Sequence, residues 1–398
     1  MKIALIAASP QPIPATRGGA TETMMTHLLD VNEEIKQHEF YVFSYYESSA
    51  KQESLNYKHS KFYFYSPNVW KDVIETYFFR ALRVLTNHRI YLRSNFIRFC
   101  ADIILKGNFD VIILQGNCFH AQYMRSLIKD KLVLHMHIDR LNAELKETRS
   151  IINSVDNLIA ISNFCKSQML KVCPEKSEKI FVLKNTIDTD KFNDENKEEL
   201  RKSIRKSLGI KEDQILISYC GRVVEDKGVL ELIRAIKLLN NKRVTLMIIG
   251  SSFYADGKKS KFMRILEKEA NDILGGVVFT GYIFQKDLPK YIKSADIAVL
   301  PSKCQEAAGN VIIEALACGT PVIASMQGGI PEYADVSACQ LVKCDENFIL
   351  NLKLAIKELL DNSSLYYTKA KNSRQVALKY NKYNYYTNFT DVLNKICK

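Results

Sequence analysis

Ile297-Ala298-Val299-Leu300-Pro301-Ser302-Lys303-Cys304-Gln305-Glu306-Ala307-Ala308-Gly309-Asn310-Val311-Ile312-Ile313-Glu314-Ala315-Leu316-Ala317-Cys318-Gly319-Thr320-Pro321-Val322-Ile323-Ala324 is the stretch from which the rest of the chain is read. Two short apolar runs, 297–300 and 321–324, read as strands. Between them a helix opens near Asn310 and stops at Gly319-Thr320-Pro321, a helix-ending sequence. A strand, a turn, a helix and a second strand form a unit that pairs its strands in parallel. Glu306 falls in the loop at the carboxyl end of the first strand, and Glu314 on the first turns of the helix. Ligands of open α/β folds bind at that edge of the sheet, and free N–H groups at a helix start receive anions. Two glutamates at this spacing are, taken alone, a solvated loop residue and a surface helix residue. Only the whole segment reverses that reading.

The same alternation runs through the chain. In the first half, strand patterns stand at 3–8, 40–45, 62–65, 111–114, 132–137, 158–161 and 181–183. Helical patterns fall between them at 21–32, 70–106 (broken), 140–153 and 164–173. Polarity rises from Asp188 to Asp213, which sets a linker near 185–193 and a charged helix over about 195–208. Strands at 215–219, 245–249, 277–280, 297–300, 322–324 and 340–342 follow, with helices at 228–239, 259–273, 286–293 and 347–360 and at the glutamates. The chain therefore reads as α/β, with two doubly wound parallel sheets in succession. The domains expected are 1–187, 188–375 and a tail, 376–398, whose helix returns to the first domain.

Composition narrows the function classes. The 398 residues, 47% hydrophobic and 25% charged, suit a soluble two-domain protein. The first eight residues form a short strand rather than a signal peptide, because Pro10, Pro12 and Pro14 interrupt the run. No apolar run approaches the ~20 residues that span a bilayer, so the expected location is cytoplasmic. Ten scattered cysteines without Cys-x-x-Cys spacing imply reduced thiols and no zinc site. The net charge of +12 suits an anionic partner. Basic residues are spread through both halves without a nucleic-acid motif, so nucleic acid is not expected. The stretch from Phe78 through Arg80, Arg83, Arg89, Arg93 and Arg98 to Lys106 is basic and aromatic. It suits docking at an anionic membrane, on the inner face of the plasma membrane, and equally an amphipathic helix pair with a solvated face.

Three further constellations stand at strand ends. Tyr219-Cys220-Gly221-Arg222-Val223-Val224-Glu225-Asp226-Lys227-Gly228 follows the first strand of the second domain. Arg222 can fork two hydrogen bonds to a phosphate, and Lys227 adds a point charge at a helix start. A solvated basic loop is the plainer reading. Arg17-Gly18-Gly19-Ala20-Thr21-Glu22 follows the first strand of the chain; adjacent glycines permit close backbone approach to a ligand, or simply a flexible turn. His135 and His137 share one face near the end of a strand, with no third or fourth metal ligand evident. Ser162 reads as a helix cap.

The glutamate segment, with Gly319-Thr320-Pro321 and Gly328-Gly329-Ile330-Pro331-Glu332, resembles the Glu-x7-Glu motif of the family 4 glycosyltransferases. These are retaining enzymes that move a sugar from a nucleotide donor to an acceptor. Within that family the likeness is to bacterial spore-coat and surface-polysaccharide glycosyltransferases. The resemblance implies the GT-B fold, two Rossmann-like domains facing across a cleft. It implies a donor diphosphate held by Arg222, Lys227, Gly18 and Gly19, and ribose hydroxyls held by Glu314. It places the donor sugar on Glu306, Ala307, Gly309 and Asn310, with Glu306 and His137 as the catalytic contacts. His137 matches the family's strand-end histidine better than His135, which sits deeper as a hydrogen-bonded core residue. No Asp-x-Asp stands where a divalent metal is needed, so neither metal nor cofactor is expected. The expected partners are a nucleoside-diphosphate sugar, with UDP as the nucleotide, and a saccharide or lipid-linked acceptor of surface polysaccharide or lipopolysaccharide synthesis. Two departures from the family stand out: Thr186 replaces a glycine in Asn185-Thr186-Ile187-Asp188, and Ala308 stands where relatives carry an aromatic. A sugar-nucleotide epimerase of the same fold needs dedicated acid and base carboxylates, and no such set is identifiable. An inactive coat or assembly protein needs neither the glutamate pair nor the Arg/Lys pair.

Overall fold

A computed structural model of the chain describes residues 1–67, 70, 74, 77–78, 81, 85, 94–251 and 260–398. The chain divides into two compact units. Unit 1 is Met1–Asn185 with Lys382–Lys398, and unit 2 is Thr186–Asn381.

Among the described residues unit 1 carries seven strands: β1 (Lys2–Ile6), β2 (Glu39–Tyr45), β3 (Ser60–Tyr65), β4 (Val111–Gln115), β5 (Leu132–Met136), β6 (Asn157–Ala160) and β7 (Ile180–Val182). They lie in the order β3-β2-β1-β4-β5-β6-β7. Every pair is parallel. Successive strands run outward from β1 in one direction and from β4 in the other, so the winding reverses between β1 and β4. Unit 2 repeats the plan with β8 (Ile215–Cys220), β9 (Val244–Ile249), β10 (Val277–Gly281), β11 (Ile297–Leu300), β12 (Val322–Ser325) and β13 (Cys339–Val342). Their order is β10-β9-β8-β11-β12-β13, and the reversal falls between β8 and β11. Two doubly wound parallel units in succession make this the GT-B fold. In such sheets the strand ends at the reversal are where a crevice forms.

The strands are short and almost wholly apolar because helices cover both faces. In unit 2, Ile217, Tyr219, Leu246 and Ile248 join Leu232 and Ile356 in one cluster. Ala298, Leu300, Val322 and Ala324 join Leu316 and Tyr333 in another. In unit 1 the terminal helix Lys382–Cys397 is tied down by polar bonds as well as packing. Tyr386 donates to Asn32 Oδ1 at 2.7 Å, His38 Nε2 lies 3.0 Å from Thr390 Oγ1, and Lys131 Nζ donates to the Ile396 carbonyl at 2.8 Å.

Three expectations change. The helix expected over 140–153 forms only as Thr148–Asn153. Asn142 Oδ1 accepts the Glu144 N–H and the Asn142 carbonyl accepts Thr148 Oγ1, so the side chains of 142–148 give the backbone a turn in place of a helix. The polar segment Ser363–Ala377 is a 15-residue helix with no counterpart in the sequence pattern. Of the basic-aromatic stretch, Asn95–Ile104 is a helix that buries Phe96, Ile97 and Cys100. Arg80, Arg83, Arg89 and Arg93 lie outside the described residues.

Candidate functional site

The loops that follow β8 and β11 are stitched together at the reversal point of unit 2. The Asp226 carbonyl accepts the backbone N–H groups of Lys303 and Cys304, at 2.8 and 3.1 Å. Gly228, at φ 69°, opens the helix Val229–Leu239, and a Cβ there would lie 1.8 Å from the Pro301 carbonyl oxygen. Only glycine permits that approach. Lys227 Nζ then meets Glu306 Oε1 at 2.5 Å, and the Ser302 hydroxyl donates to the same oxygen at 2.6 Å. Burial works against the charge on Lys227, but the bond to Glu306 and its negative charge outweigh it, and the ammonium pKa is raised.

Glu306 is also held through its backbone. Its carbonyl accepts the Gly329 N–H at 2.7 Å, and Gly328, at φ 58°, leaves no room for a Cβ, which would lie 2.3 Å from the same oxygen. The Gly-Gly pair of the flanking motif thus clamps the first glutamate. Arg222 occupies the same β8 loop, where the Tyr219 hydroxyl donates to its carbonyl at 2.6 Å. Its side chain is exposed and makes no hydrogen bond or ion pair among the described residues.

The helix Asn310–Ala317 begins at Gly309, and its far end is fixed by two cations. Arg374 donates to the Ala317 carbonyl at 3.3 Å and Lys197 to the Gly319 carbonyl at 2.6 Å, the sign of charge that favours a helix C-terminus. Glu314 sits on this helix, partly buried. Burial pushes its carboxyl up to about 7, against the pull of Lys191. Burial, and then the charge of Glu314, raises the Cys220 thiol at the end of β8, so Glu314 lies near that strand end. Ala307 is partly buried in the glutamate loop. Ala308 packs against the cluster of Ile312, Leu316 and Tyr333.

The reversal point of unit 1 has a different chemistry. Gly18 and Gly19 both take positive φ, 80° and 100°, ahead of the helix Ala20–Ile35. Beneath them Glu22 is buried and accepts the Ser9 hydroxyl at 2.7 Å; burial raises its carboxyl. A Cβ on Gly19 would come within 2.4 Å of Glu22 Oε2. His137 lies just past β5, with Nε2 2.7 Å from Oε1 of Gln115, the last residue of β4. His135 is deeper, its ring centroid 4.2 Å from that of His137. Burial drives the His137 pKa down to about 3, and burial plus His137 drives His135 well below its usual value, so both are neutral. His135 was expected to be hydrogen-bonded, but its ring nitrogens have no partner among the described residues.

The structure thus brings Lys227 onto Glu306, with Arg222 in the same β8 loop as Lys227 and Gly309 at the start of the Glu314 helix, in unit 2; Gly18, Gly19 and His137 lie in separate loops of unit 1. Sequence reasoning missed Ser302, Gln115 and Lys191. Nothing in their spacing marks them; Ser302 and Gln115 are recognisable only by the side chains they touch, and Lys191 only by its charge acting on Glu314. It also passed over Asp188-Thr189-Asp190. There Asp188 Oδ1 accepts the N–H groups of Asp190 and Lys191, holding a turn. Among the described residues no group of three His, Cys, Asp or Glu side chains is placed to hold a metal.

Comparison with known proteins bears on the family segment and on the fold. Residues 201–376 match the family described as glycosyl transferases group 1, which takes in the β8 loop and both glutamates. Over 386 residues, 94% of this chain and 87% of the relative, the sequence is 24% identical to the putative glycosyltransferase YtcC of Bacillus subtilis. It is 29% identical over 206 residues, 51% of each chain, to the lipopolysaccharide 1,2-N-acetylglucosaminetransferase of Salmonella typhimurium. Anabaena Alr3699/HepE, solved in complex with UDP and glucose, superposes with a TM-score of 0.73 at 19% identity over 99% of both chains. At that identity the likeness is one of fold, and the fold it shows is the GT-B fold read from the two reversed sheets.

Proposed function

We propose that the protein is a retaining glycosyltransferase of family 4 that transfers a sugar from a nucleoside diphosphate, UDP, to a saccharide or lipid-linked acceptor in bacterial surface polysaccharide or lipopolysaccharide synthesis. The observation that carries this reading is the pairing of Lys227 with Glu306, beside an unpartnered Arg222, at the reversal point of unit 2. Negative charge grows on the diphosphate as the sugar–oxygen bond breaks. Donors and cations aimed at the developing charge stabilise it, and Arg222, Lys227 and the helix-start amides at Gly309 and Asn310 meet this charge without a metal. Of the two glycines of unit 1, Gly18 already donates its N–H to the Ala15 carbonyl at 3.2 Å, so it is the Gly19 N–H that is offered to an anion. Glu314 takes the ribose hydroxyls. Glu306, with Ala307, Gly309 and Asn310, takes the hydroxyls of the donor sugar, and His137 contacts the sugar as a neutral imidazole. Glu306 is not assigned the nucleophile role of a retaining glycosidase; its part is to bind the donor sugar. The matched family segment and the UDP and glucose held by the Anabaena protein support the reading.

No helix among the described residues is long and apolar enough to cross a membrane; a cytoplasmic enzyme, peripheral on the inner membrane face through residues 78–106, suits a lipid-linked acceptor. A thermal-shift panel of nucleotides and nucleotide sugars tests the proposal, since a ligand that binds only the folded state raises the melting temperature. UDP and one UDP-sugar are expected to raise it, in EDTA as well as in buffer. A panel with no stabilising nucleotide contradicts the proposal.

A further inference from the structure

We infer that Ser302 is a positioning residue for Glu306, anchoring one carboxylate oxygen so that the other is left for the substrate. The inference rests on the reading of Glu306 as a donor-sugar contact. Ser302 and Ser325 are both fully buried. The Ser325 hydroxyl, at the end of β12, donates to the Ser302 carbonyl at 2.6 Å. The Ser302 hydroxyl in turn donates to Glu306 Oε1 at 2.6 Å. Lys227 binds the same oxygen.

Oε2 makes no hydrogen bond among the described residues, so the carboxylate has one oxygen committed and one uncommitted. Lys227 alone cannot fix it, because a diphosphate would draw the same ammonium away. Ser302 has no charge and no other hydrogen-bond acceptor for its hydroxyl. Its bond to Oε1 survives that exchange and keeps the glutamate in place while Lys227 turns to the phosphate. Ser325 sets the Ser302 backbone from the neighbouring strand.

The test is a kinetic double-mutant cycle on the full chain, with the UDP-sugar that stabilises the protein, together with a crystal structure of Ser302→Ala. Loss of a hydrogen bond to a charged group lowers kcat roughly tenfold or more, with KM for the donor little changed. Ser302→Thr, which keeps the hydroxyl, restores turnover. Adding Ser302→Ala to Glu306→Gln costs nothing further, because the serine acts through the glutamate. Ser325→Ala shifts kcat in the same direction by less. With UDP bound, so that Lys227 is drawn to the phosphate, the crystal structure shows the Glu306 carboxylate displaced. Full additivity with Glu306→Gln, no rescue by threonine, or an unmoved carboxylate in Ser302→Ala overturns the inference. Wild-type protein that transfers no sugar sinks the functional reading instead, and the Ser302→Ala crystal structure then decides the anchoring by itself.

Discussion

The two reversal points share one topology and differ in what stands at them. In unit 2, between β8 and β11, the loops are locked by backbone bonds from Asp226, by the close approach of Gly228 to Pro301, and by the Lys227–Glu306 ion pair. In unit 1, between β1 and β4, the nearby groups are two adjacent glycines and two neutral histidines, His135 buried and His137 half-buried beside Gln115. A parallel sheet supplies the crevice in either unit, but side chains decide what it can hold. The exposed Arg222 beside the Lys227–Glu306 pair suits a phosphate anion. Neutral ring nitrogens suit hydroxyls.

The largest difference expected between the units is in catalysis. Arg222→Ala and Lys227→Ala should each lose about 2–4 kcal/mol of transition-state stabilisation in donor turnover, measured as kcat/KM. Unchanged kinetics in both variants would remove the diphosphate from unit 2. Within that unit the glutamates should separate: Glu306→Ala lowers kcat, while Glu314→Ala mainly raises KM for the donor, since ribose contacts are alike in ground and transition states. One shared kinetic pattern would mean that the two do not divide the donor between them.

Stability should differ next. Gly228→Ala places a methyl group against the Pro301 backbone as well as straining φ, and should cost about 3 kcal/mol or more. Gly116→Ala in unit 1, at φ 65°, meets the Ala8 side chain at 3.1 Å and His137 at 3.7 Å. Side chains can move aside, which leaves the strain of about 1–2 kcal/mol. Thermal melting of both variants checks the order, and equal losses would mean that the β8–β11 lock is no tighter than its counterpart.

The smallest expected effect is one of sign. The Glu314 carboxyl titrates in the folded chain at about 7, above its ordinary value, so its contribution is unaltered at low pH and turns unfavourable as pH rises toward 7 and beyond. The His137 imidazole titrates at about 3, below its ordinary value, so its contribution is full above the ordinary histidine range and is lost as pH falls toward 3. Glu314→Gln should therefore raise the melting temperature at pH 8 and leave it unchanged at pH 4. His137→Asn should narrow the loss of stability on acidification. Melting curves across pH that move the other way would contradict the burial assigned to these groups.

Much of this was legible in the chain. All thirteen strands of the described residues fall within two residues of their expected ends, because strands covered on both faces are nearly pure apolar runs between polar turns. The glutamate loop and the Arg222–Lys227 loop were legible because glycines mark their turns. The helix Ser363–Ala377 was not, since its buried face includes Lys369 and Ser373. The Lys369 ammonium is satisfied by the carbonyls of Val336 and Cys339, a partnership that no apolar period reveals. Ser302 and Gln115 escaped for the same reason, because a polar contact between distant segments leaves no local pattern. The sequence places the charged residues of the site but not the serine and glutamine that orient them.

Calorimetric titration of UDP into the wild-type chain, Arg222→Ala/Lys227→Ala and His137→Ala tests most directly the claim that unit 2 holds the diphosphate. Loss of two charge-assisted contacts should weaken the Kd by about 100-fold or more in the double variant, while His137→Ala binds UDP as the wild type does. Equal UDP affinity in the wild type and the double variant, or a loss confined to His137→Ala, would contradict it.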